Sequence, residues 1–470
     1  MAAVTAGKAA AAASRRFGKG GGTALPGLLA ERIEPRVVEK LGQQLDTRVL
    51  VTGTNGKTTT TRILSSILAA AGIPCLHNRE GSNLMRGFAS MLVTAARPGG
   101  RLAAAVGGAG AIGLFETDEA TMPAATRSLA PRVIAVTNLF RDQLDRYGEV
   151  DTVFALWKEA LVCAPPDCTL VLNADDPSVA DLATDWPGGI HWFGIEDAAF
   201  ASEATGAFDA RWCRACGGTF AYTRRYFAHI GFWRCEGCGR ARPAPDTTAA
   251  EIKLAFDSAT FTLAGSLSNV STIDNRPSTI GLPLTGLYNV YNALAAIAVA
   301  RVLGVEEQAL AGGLAAVHPA FGRQETITLH GRRLRIMLVK NPAGANQVIA
   351  LLSQLAGRDG KLMIAALLND RFADGRDVSW TWDVDYERLS GKVVRCWAGG
   401  DRAEDMALRL KYAAWPLASC SRTAAELLDA IVGGSQTGDD IIVIPTYTAM
   451  LDLRAELARR GAAANFWEPA

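Results

Sequence analysis

Short apolar runs alternate along the first half of the chain with longer stretches whose apolar residues recur every three or four positions. Residues 48–51, 133–137 and 169–173 read as strands, and residues 192–194 close a further strand. Residues 62–68 carry the helical spacing, directly after a glycine-containing turn. Strands that alternate with helices are typical of a mostly parallel sheet covered by helices. The pattern from about residue 46 to residue 180 therefore predicts an α/β domain.

The pattern changes twice in the second half. Residues 208–243 are rich in cysteine, arginine and aromatic residues and interrupt the alternation. Residues 261–287 then read as β structure, followed by a helix over 289–303. Further strands, separated by amphipathic helices, are predicted at 334–339, 361–368, 392–397 and 440–445. The predicted parts are an N-terminal segment (1–45), a central α/β domain (46–320) with an insertion at about 208–243, and a smaller, Rossmann-like α/β domain (321–470).

Composition narrows the classes of function. The 470 residues hold 48 Lys and Arg against 47 Asp and Glu, so no global field favours nucleic acid or an anionic membrane. No apolar run reaches the about 18 residues that a membrane-spanning helix needs. Residues 2–22 are rich in Ala and Gly and lack the apolar core of a signal peptide. We therefore expect a mobile N-terminus and a cytoplasmic protein.

The most informative motif is VTGTNGKTTT, over residues 51–60. A strand, a glycine loop and a helix in this order form a cradle for phosphates, in which Gly53 and Gly56 let backbone N–H groups close around an anion. Lys57 can reach the outer phosphates, and the Thr58 hydroxyl can bind Mg²⁺. The spacing of the glycines is shorter than in a standard Walker A loop, and a Gly/Thr-rich turn without ligand is the alternative. The expected ATP contacts here are Thr54, Asn55, Gly56, Lys57, Thr58 and Thr59.

Acidic and amide side chains follow the strands downstream of this loop. Glu116, in the sequence FETDE, is the first candidate for a carboxylate that binds Mg²⁺ together with Thr58, and Glu119 is the second. Asn138 and Asp142 follow the next strand, where polar groups line the mouth of an open α/β sheet. Solvated acidic turns and Asx-rich turns are the alternatives for these positions.

Four of the nine cysteines form two C-x₂-C pairs, which are separated by 18 residues and are each followed by glycine. Four thiolates at this spacing are typical of a closed, structural Zn²⁺ site. The predicted zinc ligands are Cys213, Cys216, Cys235 and Cys238. Free thiols, disulfides, or a ribbon that binds nucleic acid are the alternatives. The five scattered cysteines read as small buried hydrophobic residues.

Six motifs occur in the order found in Mur ligases, and the chain resembles that superfamily. They are TGTNGKTT (52–59), FETDE (115–119), TNLFRDQLDRYG (137–148), LNADDP (172–177), GLYNVYNALAA (286–296) and FGRQE (321–325). The superfamily, which includes folylpolyglutamate synthetase, activates a carboxylate with ATP as an acyl phosphate and then forms an amide. The resemblance implies a Mur ligase-type ATP-binding domain and ATP contacts at Asn138, Asn289, Asn292 and Arg323. Gln143 and Tyr288 stand where relatives usually have histidine, which implies a rearranged metal site.

Further features resemble one branch of the superfamily, the synthetase subunits of lipid II isoglutaminyl synthase, or MurT family. About 45 residues precede the loop, too few for the N-terminal UDP-sugar domain of other members, and the second domain carries NDRFADGRDVSWTWD over 369–383. This resemblance implies amidation of the D-glutamate α-carboxylate in the lipid II stem peptide, at the inner face of the cell membrane. It also implies that ammonia comes from a GatD-like glutaminase in a heterodimer. No cysteine of the chain stands in a motif typical of a glutamine-hydrolysing nucleophile, so ammonia would come from solution or from a partner.

The segment over 369–383 implies a second set of catalytic residues beside Lys57. Asp377 or Asp383 would orient the catalytic histidine of the partner, as the third member of a Cys-His-Asp arrangement completed across the interface. Asp377 is the first choice, and a capped turn is the alternative for both. Two other functions also remain open: an amino-acid ligase of the folylpolyglutamate synthetase type, which the insertion and this segment oppose, and a zinc-ribbon ATPase that binds nucleic acid, which the balanced charge opposes.

Overall fold

The computed structural model describes residues 2–17, 25–78, 82–102, 110–141, 150–201, 209–265, 278–318, 323–357 and 360–463. Within these residues the chain forms two α/β units, each built on its own sheet, and a small two-stranded hairpin. This arrangement confirms the predicted α/β architecture. Asp142 and Gln143 lie outside the described residues, so the expectations for these positions stay predictions.

The first unit is a largely parallel sheet with the hairpin inserted between its sixth and seventh strands in chain order. The strands of both are β1 Thr47–Thr52, β2 Cys75–His77, β3 Ile112–Glu116, β4 Val133–Val136, β5 Thr169–Asn173, β6 Ile190–Ile195, β7 Phe220–Phe227, β8 Ile230–Cys235, β9 Thr247–Leu254, β10 Ala259–Ala264 and β11 Ser278–Leu282. Strands β7 and β8 form the hairpin, and the described sheet has the order β11-β10-β9-β6-β5-β4-β1-β3-β2. Two pairs at one edge of the described sheet, β9–β10 and β10–β11, are antiparallel, whereas β6 and β9 pair in parallel fashion.

Helices cover both faces of this sheet, so its strands are buried on both sides. In β1, Val49 and Val51 face one core and Leu50 faces the other, as the alternation of side chains along a strand requires. The described helices of this unit are α1 Ala2–Phe17, α2 Leu25–Ile33, α3 Val37–Gly42, α4 Lys57–Ala70, α5 Met85–Ala95, α6 Met122–Leu129, α7 Val150–Val162, α8 Pro177–Ala180, α9 Leu287–Val302 and α10 Glu307–Ala315. The alanine-rich α9 is buried along most of its length and packs on α4.

The second unit is a six-stranded sheet within the described residues, with the order β12-β13-β17-β14-β15-β16. Its elements are β12 Arg323–Leu329, β13 Arg332–Met337, α11 Pro342–Leu355, β14 Leu362–Leu367, β15 Val393–Gly399, α12 Ala403–Tyr412, β16 Leu417–Ser421, α13 Ala424–Gly433, β17 Asp440–Pro445 and α14 Tyr447–Arg459. The four strands predicted here are confirmed to within a few residues. The edge strand β16 escaped prediction because most of its side chains are exposed and give no apolar pattern.

The N-terminus differs from the expectation of a mobile start. Residues 2–17 form α1, in which Ala3, Val4 and Ala10 are buried, and Ala3 and Val4 belong to one of the two cores of the first unit. A Cβ on Gly7 would lie 2.6 Å from Val93 Cγ1, so the small residues allow close packing on α5. The Ala-rich composition is therefore that of a packed helix, which alanine favours intrinsically. Among the described helices, none combines the length and the hydropathy of a membrane span.

Candidate active site

The loop between β1 and α4 bends at two glycines whose backbone angles other residues rarely adopt. Gly53 has a φ of +134° and Gly56 a φ of +90°. A Cβ on Gly53 would lie 2.0 Å from Thr137 Oγ1, and a Cβ on Gly56 would lie 2.0 Å from Asn292 Oδ1. Both positions therefore require glycine, for the turn and for the close approach of neighbouring elements. The predicted strand–loop–helix arrangement is confirmed, and it points the N-terminus of α4 at the cleft beside it.

Lys57 begins α4 and has a buried ammonium group. Its Nζ lies 2.7 Å from Glu119 Oε1, and the two side chains are 9% and 5% exposed. The same Nζ donates to the carbonyl oxygen of Gly53 at 2.5 Å. A buried charge needs such partners, because an uncompensated one would cost several kcal/mol. These contacts hold the lysine in a fixed position beside the phosphate loop.

Thr58 and Glu116 bring two oxygen atoms together beside this lysine. Thr58 Oγ1 donates to Glu116 Oε1 at 2.9 Å, and both residues are buried. Glu116 ends β3, and its backbone is fixed by Asn78, which accepts from the Glu116 N–H at 2.8 Å and donates to the Glu116 carbonyl at 3.0 Å. Hydroxyl and carboxylate oxygens are ligands that Mg²⁺ prefers. Asn78 was missed in the sequence because it follows a three-residue strand and belongs to no motif.

The end of β4 fixes the shape of the loop. Asn138 Oδ1 accepts from the Asn55 N–H at 2.9 Å, and Asn138 Nδ2 donates to the Asn55 carbonyl at 3.0 Å. Thr54 Oγ1 donates to the Phe140 carbonyl at 3.1 Å and accepts from the Phe140 N–H at 3.0 Å. Asn138 therefore holds the loop backbone as well as lining the cleft.

The asparagines of α9 lie against the same loop. Asn292 Nδ2 donates to Asn289 Oδ1 at 3.1 Å, and Asn289 Nδ2 donates to the Thr285 carbonyl at 2.8 Å. Tyr288, at the position where relatives have histidine, accepts from Gln324 Nε2 at 2.6 Å. The side chain of Arg323 lies outside the described part of the chain, so its ATP contact stays a prediction.

These groups line one cleft of about 290 Å³, whose opposite wall comes from the second unit. Asn341 Nδ2 donates to Asn55 Oδ1 at 3.1 Å, and the reverse contact, from Asn55 Nδ2 to Asn341 Oδ1, measures 3.4 Å. Asn341 also caps α11 by accepting from the Gly344 N–H at 2.8 Å. Sequence reasoning missed this contact between units, although an Asn followed by Pro is a recognisable start of a helix.

The two candidate aspartates of the second unit have different surroundings. Asp377 is exposed, and its Oδ1 accepts from the Ser379 N–H at 2.8 Å. Hydrogen bonds from Ser379 hold the pKa of Asp377 below its usual value. Asp383 Oδ2 lies instead 2.8 Å from Arg141 Nη2, in an ion pair that joins the two units. Asp383 is therefore engaged within the chain, whereas Asp377 is presented at the surface.

The four patterned cysteines converge at the base of the β7–β8 hairpin. Their ligand atoms all lie within 4.8 Å of one another. Cys213 Sγ is 3.7 Å from Cys238 Sγ, and Cys216 Sγ is 3.4 Å from Cys235 Sγ. These separations exceed the roughly 2.05 Å of a disulfide and approach the roughly 3.8 Å between thiolates around a tetrahedral ion with bonds of about 2.3 Å. A hydrogen bond from the Cys238 N–H helps to lower the pKa of Cys235 to about 6, which favours the thiolate that metals bind.

Comparison with known proteins agrees with this geometry. Residues 51–211 match the Mur ligase middle domain, and residues 338–450 match the MurT ligase C-terminal family. The pseudomurein peptide ligase type C of Methanothermus fervidus has a similar fold, with a TM-score of 0.65 and 22% identity over 88% of this chain and 78% of that one.

Two curated relatives cover almost the whole chain. Both are named lipid II isoglutaminyl synthase (glutamine-hydrolyzing) subunit MurT. The Streptococcus pneumoniae protein is 33% identical over 94% of this chain and 93% of its own length. The Staphylococcus aureus protein is 33% identical over 96% of both. Since these relatives are 33% identical and cover at least 94% of the chain, the chain belongs to the MurT family of Mur ligase-like proteins.

Proposed function

We propose that this chain is the synthetase subunit of a lipid II isoglutaminyl synthase and converts the D-glutamate of the lipid II stem peptide to D-isoglutamine. The observation that carries the proposal is the buried arrangement of Lys57–Glu119 and Thr58–Glu116 around a phosphate loop. It occurs in a chain whose relatives bear the name of this enzyme. The role belongs to peptidoglycan synthesis, and the lipid substrate would place the enzyme at the inner face of the cell membrane.

The chemistry must overcome the low reactivity of a carboxylate toward ammonia. A carboxylate oxygen of the substrate attacks the γ-phosphorus of ATP, the bond to ADP breaks, and an acyl phosphate forms. Ammonia then attacks the acyl carbon and loses a proton, and inorganic phosphate leaves with the electrons of the broken C–O bond. Lys57 balances the charge that builds up on the transferring phosphoryl group. The N-terminus of α4 orients the phosphates through its backbone N–H groups.

The Thr58 hydroxyl and the Glu116 carboxylate fit a Mg²⁺ site, because both present oxygen atoms at one point of the cleft. When bound there, Mg²⁺ would neutralise charge on the ATP phosphates. Glu119, the second candidate ligand, lies on Lys57 and serves better to position that lysine. The cysteine cluster fits a structural Zn²⁺ ion, since four thiol sulfurs surround one point and leave no position for water.

The nitrogen would come from a glutaminase partner. Burial raises the pKa of Cys75, Cys168 and Cys396 to about 12, so these thiols stay protonated and are poor nucleophiles. Asp377 would complete the partner's catalytic site by orienting its histidine, because this carboxylate is exposed and ionised near neutral pH. Asp383 is the weaker choice for this role, since its carboxylate already pairs with Arg141.

A reconstituted assay tests the function. The purified chain would be combined with a GatD-like glutaminase, lipid II, ATP, Mg²⁺ and glutamine, and the product analysed by mass spectrometry for replacement of the D-glutamate α-carboxyl by a carboxamide. Ammonium chloride should replace glutamine and the partner, because the synthetase site is complete in this chain. Formation of ADP without carboxamide, or addition of an amino acid in place of ammonia, would contradict the proposal and favour another ligase activity.

A further inference from the structure

The β7–β8 hairpin has two ends with different surroundings. The cysteine cluster closes one end, and the turn over 227–230 forms the other, roughly 20 Å away for strands of six to eight residues. The turn end is built into the first unit. Tyr226 and Ile230 belong to one of the two hydrophobic cores around the central sheet, and Phe227 packs against it. The hairpin is therefore a structural part of the ATP-binding unit.

Hydrogen bonds fix this end of the hairpin on the ends of β5 and β6. The Gly231 N–H donates to the Asp175 carbonyl at 2.9 Å, and Trp233 Nε1 donates to the Ala174 carbonyl at 3.0 Å. The Tyr226 hydroxyl donates to the Ile195 carbonyl at 2.9 Å. Because the carboxyl ends of parallel strands form the mouth of such a sheet, the hairpin turn lies where ligands bind.

Two aromatic contacts connect the turn to the phosphate loop. The Phe227 ring stacks on Phe140 with centroids 6.1 Å apart, and it meets the Tyr291 ring edge-on at 5.8 Å. Phe140 is the residue whose backbone exchanges hydrogen bonds with Thr54, and Tyr291 precedes Asn292, whose amide lies against Gly56. Phe227 thus contacts the immediate neighbours of the loop on two sides.

The cleft has both charged and apolar lining. Lys57, Glu116 and Glu119 are the charged groups suited to the phosphates and the metal ion. Phe227 and Ile230 of the hairpin line the same cleft, together with Leu284, Tyr288 and Tyr291. A purine has an apolar face that stacks on aromatic rings, so this apolar lining suits the base of the nucleotide.

We propose that the hairpin turn, through Phe227 and Ile230, forms part of the base-binding wall of the nucleotide site, and that metal binding at the four cysteines raises the affinity for nucleotide. The proposal rests on the proposed function, which places ATP in this cleft. The metal orders one end of the hairpin and the nucleotide contacts the other, so each ligand stabilises the conformation that the other needs. Such coupling is reciprocal, and the free energy of metal binding to a small cysteine site is also folding free energy.

Calorimetric titration of the full-length chain with ADP and with inorganic pyrophosphate, both with Mg²⁺, tests the base contact. Phe227→Ala should weaken ADP binding about three- to tenfold, the range expected for loss of one aromatic contact, and leave pyrophosphate binding unchanged. Phe227→Leu, which keeps apolar volume, guards against a variant that fails to fold. Trp212→Ala is the matched control, because Trp212 is an exposed aromatic residue at the cysteine end of the hairpin.

The outcomes separate this inference from the function on which it rests. Equal ADP affinity in wild type and both Phe227 variants would overturn the base contact, as would an equal loss for pyrophosphate, which would indicate a distorted loop. Failure of the wild-type chain to bind either ligand would count against the proposed function itself.

Metal removal tests the linkage. Protein stripped of metal by a chelator should bind ADP more weakly than untreated protein, by about threefold or more, and should recover when Zn²⁺ alone is returned. Metal content would be measured in parallel, and Cys238→Ser should reproduce the stripped state without chelator. An ADP affinity that is unchanged on metal removal, in protein shown to have lost the metal, would overturn the linkage.

Discussion

The phosphate loop and the segment over 377–383 both carry acidic or basic groups of the candidate site, but they hold them in opposite ways. In the loop, Lys57 is buried and its charge is met by Glu119 at 2.7 Å. In the segment, Asp377 is exposed, and its carboxylate accepts hydrogen bonds from Ser379. Groups that act on ATP are thus preorganised inside one chain, whereas the chemistry proposed for Asp377 needs a second protein. A substitution in the phosphate loop should therefore abolish the ATP chemistry of the chain itself. A substitution of Asp377 should affect only the reaction that needs the second protein.

The largest effect on activity is expected from substitution of Lys57 in the phosphate loop. Lys57→Ala should lower amidation about 10³-fold or more with either glutamine or ammonium as the nitrogen source, because charge stabilisation during phosphoryl transfer is lost. The rate of ADP release in the presence of lipid II measures this effect. Lys158→Ala, at a half-buried lysine on α7 that does not line the cleft, is the control and should leave the rate unchanged. Substantial activity in Lys57→Ala would show that Lys57 does not stabilise the phosphoryl transfer.

The next largest effect should discriminate between nitrogen sources. Asp377→Asn should lower glutamine-dependent amidation about 10²-fold or more, because a misoriented histidine cannot activate the partner's nucleophile. Ammonium-dependent amidation should persist, since the loop and the cleft are untouched. Parallel assays with the two nitrogen sources give the ratio. Normal glutamine-dependent activity in the purified complex would show that Asp377 has no role at the interface.

A change at the metal site should have an intermediate effect that metal concentration can offset. Glu116→Gln keeps the hydrogen bond from Thr58 but removes a negative charge, so the Mg²⁺ concentration for half-maximal activity should rise about tenfold or more. Titration of activity with Mg²⁺ at saturating ATP measures the shift. Asp118→Asn, next to the same strand end, is a suitable comparison. An unchanged Mg²⁺ requirement in Glu116→Gln would assign the metal to other ligands.

The smallest effect should come from the contact that joins the two regions. Asp383→Asn removes the partner of Arg141 in a half-exposed ion pair, and such pairs contribute about 1 kcal/mol or less, so the KM for ATP should rise no more than about fivefold. Both nitrogen sources should be affected equally. Arg141→Gln breaks this contact and also the ion pair of Arg141 Nε with Asp209 Oδ1 at 3.6 Å. Adding Asp383→Asn to Arg141→Gln should therefore cause no further change. A selective loss with glutamine would instead give Asp383 the role proposed for Asp377.

Some of these features could be predicted from local sequence, and others could not. The loop was predictable because its glycines, lysine and threonine act within ten consecutive residues and the backbone geometry leaves few alternatives. The cysteine cluster was predictable for the same reason of fixed spacing. Asn78 and Asn341 were missed because each acts across the fold, on Glu116 and Asn55. Asn78 belongs to no motif, and the Asn-Pro signal at Asn341 predicts only the start of a helix.

The N-terminus shows why composition alone can mislead. An Ala- and Gly-rich start was expected to be mobile, yet the described residues of α1 pack on α2 and α5. Alanine favours a helix by itself, but a face of small side chains is stabilised only where another surface lies close enough to touch it. The sequence of residues 2–17 provides the helix propensity of α1, whereas the surface on which α1 packs is formed by α2 and α5.

By itself, the sequence determined the α/β architecture, the phosphate loop, the cysteine cluster and the family, because these depend on periodicity and on residues close together in the chain. Tertiary structure decided which carboxylate meets Lys57, which one lies beside Thr58, which aspartate remains exposed, and how the hairpin turn reaches the cleft. Those assignments depend on distances between elements that are up to hundreds of residues apart, and such distances are set by how the sheets and helices pack.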